Sequence, residues 1–139
     1  MKDIVDFNNF WNKKIELIDA IQPKFILNKT SFSKFDNIEF YDLTFTSYDN
    51  SVIYTKYIKN INYRKLYPHK NIPLLFYFHG YPASNRNWLE KSTFATLGYD
   101  VVAIDFRNQG GKSKDSGKSE PSVFGHLTVG LDENIEDMI

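Results

Sequence analysis

The sequence predicts an α/β protein with a mixed β-sheet, and three segments carry that prediction. Residues 37–58 read as a β-hairpin, residues 72–78 as an apolar strand, and residues 100–106 as a second apolar strand. A helical pattern separates the last two strands, so together they form a strand–helix–strand unit with a right-handed crossover. A length of 139 residues fits one domain with a single core.

Residues 6–21 predict an amphipathic helix ahead of the sheet. Its apolar side chains recur at spacings of three and four: Phe7, Trp11, Ile15 and Ile18. Asp6 is a possible cap, and Pro23 is a stop. We expect the apolar stripe of this helix to pack on the rest of the protein.

The hairpin is predicted from alternation and turn chemistry. Residues 37–47 alternate apolar with more polar side chains, "YDN" at 48–50 suits a turn, and "SVIYTKYI" at 51–58 forms the second strand.

Basic side chains and tyrosines then interleave over residues 56–70, as in proteins that bind single-stranded nucleic acid. Seventeen basic residues balance seventeen acidic ones, so we interpret this stretch as a solvated loop and predict no nucleic-acid partner.

The strand–helix–strand unit is the most clearly patterned part of the chain. The apolar run over 72–78 is typical of a strand buried on both faces of a parallel sheet, and Gly80 with Pro82 ends it. "NWLEKSTFATLGY" predicts a helix terminated by Gly98. Residues 107–130 then read as a long surface loop at the carboxyl end of the second strand, where α/β proteins build their sites.

Composition excludes several classes of protein. The chain has no cysteine, which rules out disulfides, thiolate metal sites and a cysteine nucleophile. No apolar run approaches the length of a membrane span, and "MKDIVDFNNFWNKK" lacks the apolar centre of a signal peptide. We therefore expect a cytoplasmic protein without a membrane partner.

Two Gly-Lys-Ser triplets, at 111–113 and 117–119, raise the possibility of a phosphate-binding loop. Such a loop needs a glycine five residues before the glycine of the triplet and a helix after it. Phe106 and Lys112 occupy those positions, so the spacing is wrong in both copies. We interpret the lysines here as solvated loop residues.

No complete catalytic triad is predicted. Gly-x-Ser-x-Gly does not occur in the sequence, so no serine stands on a nucleophile elbow. His79 is expected to support the turn after its strand by hydrogen bonding, while His69 and His126 fall in surface loops. The acids after His126 suit the start of a helix better than a metal site. We therefore name no catalytic residue and no metal ligand in this chain.

Four stretches, in this order and spacing, carry a family resemblance: "FWNKKIELI", "FYFHGYPASNRNW", "LGYDVVAIDFRNQGGKSKD" and "FGHLTVGLDE". Together they closely resemble the amino-terminal part of the acetyl xylan esterase and cephalosporin-C deacetylase family of carbohydrate esterases. The resemblance covers the chain from about Phe10 to Ile139.

This resemblance implies an α/β-hydrolase fold in which the hairpin pairs with strand 100–106, which in turn pairs with strand 72–79. It implies hydrolysis of acetyl esters on short xylo-oligosaccharides and cephalosporin C by a Ser-His-Asp triad. The partner it implies is a small acetylated sugar or related ester. The resemblance implies no cofactor.

The resemblance implies a role for a residue only where this sequence matches the family's motif. Tyr81 matches the residue whose backbone N–H forms half of the oxyanion hole. Arg107 and Gln109 match the family's Arg-Gly-Gln motif beside the site, with Asn108 in place of its glycine. His79, Gly80 and Gly110 are expected to support the same site.

The family's nucleophile elbow, Asp and His come later than the part matched here. We therefore expect residues 1–139 to be the amino-terminal part of one α/β-hydrolase domain, lacking the nucleophile strand and inactive alone. Its exposed sheet edge predicts self-association. The alternative left open is a non-catalytic half-domain that binds sugar esters or complements a separate carboxyl-terminal half.

Overall fold

The computed structural model describes residues 2–22, 24–32, 35–47, 50–80, 83–85, 87–107, 109–114 and 116. In chain order the elements are α1 (Lys2–Asp19), β1 (Phe25–Lys29), β2 (Ile38–Thr46), β3 (Val52–Asn60), α2 (Ile61–Leu66), β4 (Leu74–Phe78), α3 (Trp88–Thr96) and β5 (Asp100–Asp105). Within this part of the chain the strands form one sheet with the order β1-β2-β3-β5-β4. The mixed α/β architecture predicted from the sequence is confirmed.

The hairpin and the strand–helix–strand unit join as expected. β2 pairs with β3 antiparallel, with Phe40 opposite Ile58, and β3 continues antiparallel onto β5. β4 and β5 are parallel, with Leu75 beside Val101. Gly98 ends α3 at a φ of +106°, a conformation that a residue with a Cβ rarely adopts.

Two elements differ from the sequence-based expectation. β1 is an additional strand at the outer edge of β2, and all five of its residues are exposed. Residues 56–70 are not a loop, because β3 extends to Asn60 and α2 follows it directly. The Asn60 side chain caps α2 by accepting the Tyr63 N–H at 2.8 Å.

The core lies between the sheet and α3. It consists of Ile38, Phe40, Ile58, Ala95 and Val101, all at most 2% exposed. Trp88 at the start of α3 packs edge-on against Phe40, with ring centroids 5.4 Å apart. We call the side of the sheet that carries this core the helix-side face.

The other side, which we call the open face, is apolar and largely uncovered. A trough of about 550 Å³ runs along it and is lined mainly by Phe25, Leu27, Leu43, Phe45, Tyr57, Leu74 and Val102. Leu74, Phe76 and Phe78 of β4 are 47%, 54% and 37% exposed. The expectation that this strand is buried on both faces is therefore wrong, since β4 lies at the edge of the sheet and only its helix-side face is packed.

The amino-terminal helix begins earlier than predicted, at Lys2, so Asp6 lies within α1 and is not its cap. Phe7 and Ile15 of the predicted stripe are 61% and 45% exposed, so the expected packing on the rest of the protein is not found for these two residues. None of the helices in the described ranges is both long and apolar enough to cross a bilayer.

Candidate functional site

The candidate site lies where the parallel strands β4 and β5 end. The carboxyl ends of adjacent parallel strands meet at one edge of the sheet, so the residues that follow each strand become neighbours. His79 and Gly80 follow β4, and residues 106–114 follow β5. Five of the six residues predicted for the site fall in these two segments: His79, Gly80, Arg107, Gln109 and Gly110.

His79 joins the two strand ends. Its side chain is only 3% exposed. The Phe106 N–H donates to Nε2 at 3.3 Å, and Nδ1 lies 3.1 Å from the Gly80 carbonyl oxygen. Because the nitrogen that could take a proton already accepts a hydrogen bond, His79 is not arranged as a general base.

Asp105 is a buried carboxylate at the end of β5 that the sequence analysis did not single out. It is 2% exposed, and its Oδ1 accepts the Asn85 N–H at 2.6 Å. Asn85 is itself fully buried and donates its side-chain amide to the Ile104 carbonyl. These bonds tie the segment after β4 to the last residues of β5. The sequence signal that could have identified Asp105 is an acidic residue at the end of an apolar strand.

Gly110 and Gln109 form the turn after β5. The Gln109 N–H donates to the Phe106 carbonyl at 2.9 Å. Gly110 has a φ of +72°, and a Cβ built there would lie 2.5 Å from Asp105 Oδ2. Glycine is therefore required at position 110 for its backbone conformation and for the space that the carboxylate occupies.

Arg107 is buried, with 1% of its surface exposed. Its Nη2 donates to Ser47 Oγ at 2.9 Å, which links the segment after β5 to the end of β2. A buried guanidinium with hydrogen-bonding partners is a structural anchor for this loop. The sequence could not reveal Ser47 as a partner, because 60 positions separate the two residues.

The first Gly-Lys-Ser triplet has a structural role that its interpretation as a solvated loop missed. Ser113 is 4% exposed; its Oγ donates to the Asp105 carbonyl and accepts the Tyr54 N–H at 2.9 Å. Lys114 exchanges backbone hydrogen bonds with Val52. Lys112 is exposed, as expected, and its Nζ lies 4.2 Å from the centroid of the Tyr54 ring.

Several predicted residues lie outside the described part of the chain. Tyr81, Asn108 and His126 are among them, as are the second triplet and the acids near the end of the sequence. His69 is exposed and follows α2. Within the described ranges no group of three or more histidine, aspartate or glutamate side chains is arranged to hold a metal ion.

Two of the basic side chains in the stretch considered for nucleic-acid binding are held against the protein in the described structure. Lys56 is 5% exposed and faces the rings of Tyr54 and Trp88 at 5.1 and 5.4 Å. Burial lowers the pKa of its ammonium group. Arg64 is paired with Asp100 at 2.6 Å and is thereby turned toward the sheet.

The strand order, the parallel β4–β5 pair and the cluster at its carboxyl end define a protein of the α/β-hydrolase class. Comparison with known proteins gives the family. The chain belongs to the acetyl xylan esterase (AXE1) family, whose model matches residues 2–139. The family is one of carboxylic ester hydrolases acting on carbohydrate esters.

Two solved structures support the fold. Acetyl xylan esterase 1 from Thermoanaerobacterium sp. JW/SL YS485 is 34% identical with a TM-score of 0.73, and the similarity covers 96% of this chain and 40% of that one. Acetyl xylan esterase from Paenibacillus sp. R4 is 24% identical with a TM-score of 0.72, covering 88% and 38%. The chain thus spans about two fifths of the length of either enzyme. No curated protein sequence matched it.

Proposed function

We propose that residues 1–139 are the amino-terminal part of one α/β-hydrolase domain that hydrolyses acetyl esters of xylo-oligosaccharides or of cephalosporin C when the domain is complete. In this proposal the chain supplies the turn after β4, including the backbone N–H of Tyr81 as half of the oxyanion hole, and lacks the catalytic triad. The observation that carries it is the cluster at the ends of β4 and β5, within a family match that spans the chain.

The described residues favour a supporting role for this cluster. His79, Asp105 and Arg107 are buried, and each of them makes a hydrogen bond to another part of the chain. Groups held in this way position backbone, whereas a nucleophile must face the substrate. An oxyanion hole depends on such rigidity, because its N–H donors stabilise the developing negative charge only when they are fixed in advance.

The first experiment measures p-nitrophenyl acetate hydrolysis by the purified chain. We expect no turnover above the buffer rate. Turnover that a serine-directed phosphonate abolishes would show that the chain contains its own nucleophile and would contradict the proposal.

The second experiment tests the family's chemistry in a complete domain. A chimera replaces the matched part of the Thermoanaerobacterium enzyme with residues 2–139 of this chain. We expect it to release acetate from acetylated xylo-oligosaccharides, and a matched chimera with the nucleophilic serine of the acceptor enzyme changed to alanine serves as the blank. A folded chimera with no more activity than that blank would exclude an oxyanion-hole role for this segment.

We further propose that the chain self-associates through the edge strand β4. Unpaired backbone groups and exposed Leu74, Phe76 and Phe78 favour pairing with another strand. The cytoplasmic location stays a prediction from the sequence.

A further inference from the structure

The two ring nitrogens of His79 have different partners, and this determines where the ring carries its hydrogen. A backbone N–H can only donate, so the contact from Phe106 N to Nε2 at 3.3 Å requires Nε2 to be an acceptor without hydrogen. The hydrogen of a neutral ring is then on Nδ1, which donates to the Gly80 carbonyl at 3.1 Å.

The other protonation states fit these contacts poorly. With hydrogen on Nε2, the ring N–H would face the Phe106 N–H, and Nδ1 would face the Gly80 oxygen as a second acceptor. A doubly protonated ring would also lose the Phe106 bond. The Asp105 carboxylate faces the ring, with Oδ1 3.9 Å from Nε2, and this oxygen already accepts the Asn85 N–H.

The Gly80 carbonyl therefore receives two donors. The second is the Ala83 N–H at 2.7 Å, which closes the turn after β4. Two donors restrain the Gly80 carbonyl more than one would. The ring of Phe106, 4.9 Å from the His79 ring centroid, packs edge-on and limits its rotation.

We propose that His79 is a positioning residue that acts as the neutral Nδ1–H tautomer: it holds the Gly80 carbonyl and couples the turn after β4 to the end of β5 through Phe106. The tautomer and the coupling depend only on contacts within this chain. Their importance for ester hydrolysis rests on the proposed function, because the family resemblance assigns the oxyanion N–H to this turn.

The direct test is ¹⁵N NMR of the histidine rings in the intact chain at neutral pH. We expect the His79 ring to show a protonated Nδ1 and an unprotonated Nε2. The sequence has three histidines, and a His69→Asn variant removes an exposed one as an assignment control. A proton on Nε2, or rapid averaging between tautomers like that of a solvated histidine, would overturn the proposal.

Two conservative variants separate the two hydrogen bonds. His79→Asn places an amide donor near the Nδ1 position but has no group at the Nε2 position, so amide exchange at Phe106 should rise about fivefold while Ala83 is unchanged. His79→Gln can place a carbonyl oxygen near Nε2 without the Nδ1 donor, so the rise should occur at Ala83 instead. Equal effects at both amides in both variants would mean that the histidine only fills space.

These measurements need no substrate. If His79 shows the Nδ1–H tautomer but the chimera described above hydrolyses no acetyl ester, the proposed function fails and the positioning role stands. If the chimera is active and the tautomer is the other one, the positioning role fails alone. Should both variants prove unfolded, the ring spectrum of the unaltered chain still decides the question.

Discussion

Gly110 lies against the carboxylate of Asp105, with 2.5 Å between an ideal Cβ at position 110 and Asp105 Oδ2. The neighbouring Gly111 also has a positive φ, +82°, but a Cβ there would have no atom within 4 Å. The two glycines thus share a backbone conformation and differ in surroundings. This pair allows the effect of the carboxylate to be measured separately from backbone strain.

We expect Gly111→Ala to destabilise the chain by about 1 kcal/mol, the usual cost of a left-handed residue with a Cβ. Gly110→Ala should cost at least about 2 kcal/mol more, because the methyl group displaces a buried carboxylate from its hydrogen bond with Asn85. Urea unfolding followed by circular dichroism measures both variants. Equal losses would show that Asp105 moves aside without cost.

Two helix caps provide a second comparison. Asn87 caps α3 by accepting the Leu89 N–H at 2.9 Å, and it is exposed. Asn60 caps α2 and is 5% exposed. Its side chain also donates to the Ala95 carbonyl at 2.6 Å. Asn87→Ala should lower the free energy of unfolding by about 1 kcal/mol. Asn60→Ala should lower it by about 2 kcal/mol, because it also removes the buried hydrogen bond to the Ala95 carbonyl. A smaller loss for Asn60→Ala than for Asn87→Ala would contradict this reading of α2.

The Asp100 carboxylate predicts acid sensitivity. Burial opposes its ionisation, but hydrogen bonds from Arg64, the Asn60 N–H and Tyr57 outweigh burial and hold the pKa of Asp100 below its usual 3.8. A carboxyl with a lowered folded-state pKa stabilises the fold above the unfolded value, and this contribution is lost as pH falls through the folded value. Asp100→Asn should cost about 2 kcal/mol at pH 7.

The difference in unfolding free energy between the unaltered chain and Asp100→Asn should therefore shrink below pH 3.8, the reference value for the unfolded carboxyl. Urea titrations at a series of pH values measure it. Asp36→Asn, at an exposed position, is the matched control and should change stability little at any pH. A difference that stays constant into acid would mean that Asp100 titrates normally.

Self-association through β4 is open to direct measurement. Phe76 is 54% exposed on the open face, and Phe76→Lys places a charge on the edge strand. Sedimentation velocity should show a larger monomer fraction for this variant. Leu97→Lys, at a residue 71% exposed at the end of α3, is the control for an added charge elsewhere and should leave association unchanged. Equal shifts in both variants would argue for nonspecific charge repulsion.

The elements predicted correctly are those whose information is local. The apolar run over 72–78 and the Gly98 stop are readable from a few adjacent residues, and they gave β4, α3 and β5. β1 was missed because its sequence, FILNK, does not alternate apolar with polar residues, and in the structure all five residues are exposed. α2 was missed because it depends on the capping side chain of Asn60 and on Arg64, which pairs with Asp100 36 positions away.

Only the site residues that belong to a recognisable sequence motif could be predicted. His79, Arg107, Gln109 and Gly110 came from a recognisable pattern, and the structure places them at two adjacent strand ends. Asp105, Asn85 and Ser47 carry the hydrogen bonds that hold this region together, but a short polar residue gives no sign of a partner that is distant in sequence. Contacts of this kind are set by the topology, so they become visible only in three dimensions.

The bonds of Ser113 and Lys114 have a practical consequence for altering this protein. The segment after β5 returns to β3, where Lys114 exchanges backbone hydrogen bonds with Val52 and Ser113 Oγ accepts the Tyr54 N–H. A peptide tag inserted at Gly111 would disturb these bonds to a central strand, although the sequence there looks like a permissive surface loop. Suitable attachment points are the exposed residues of α1.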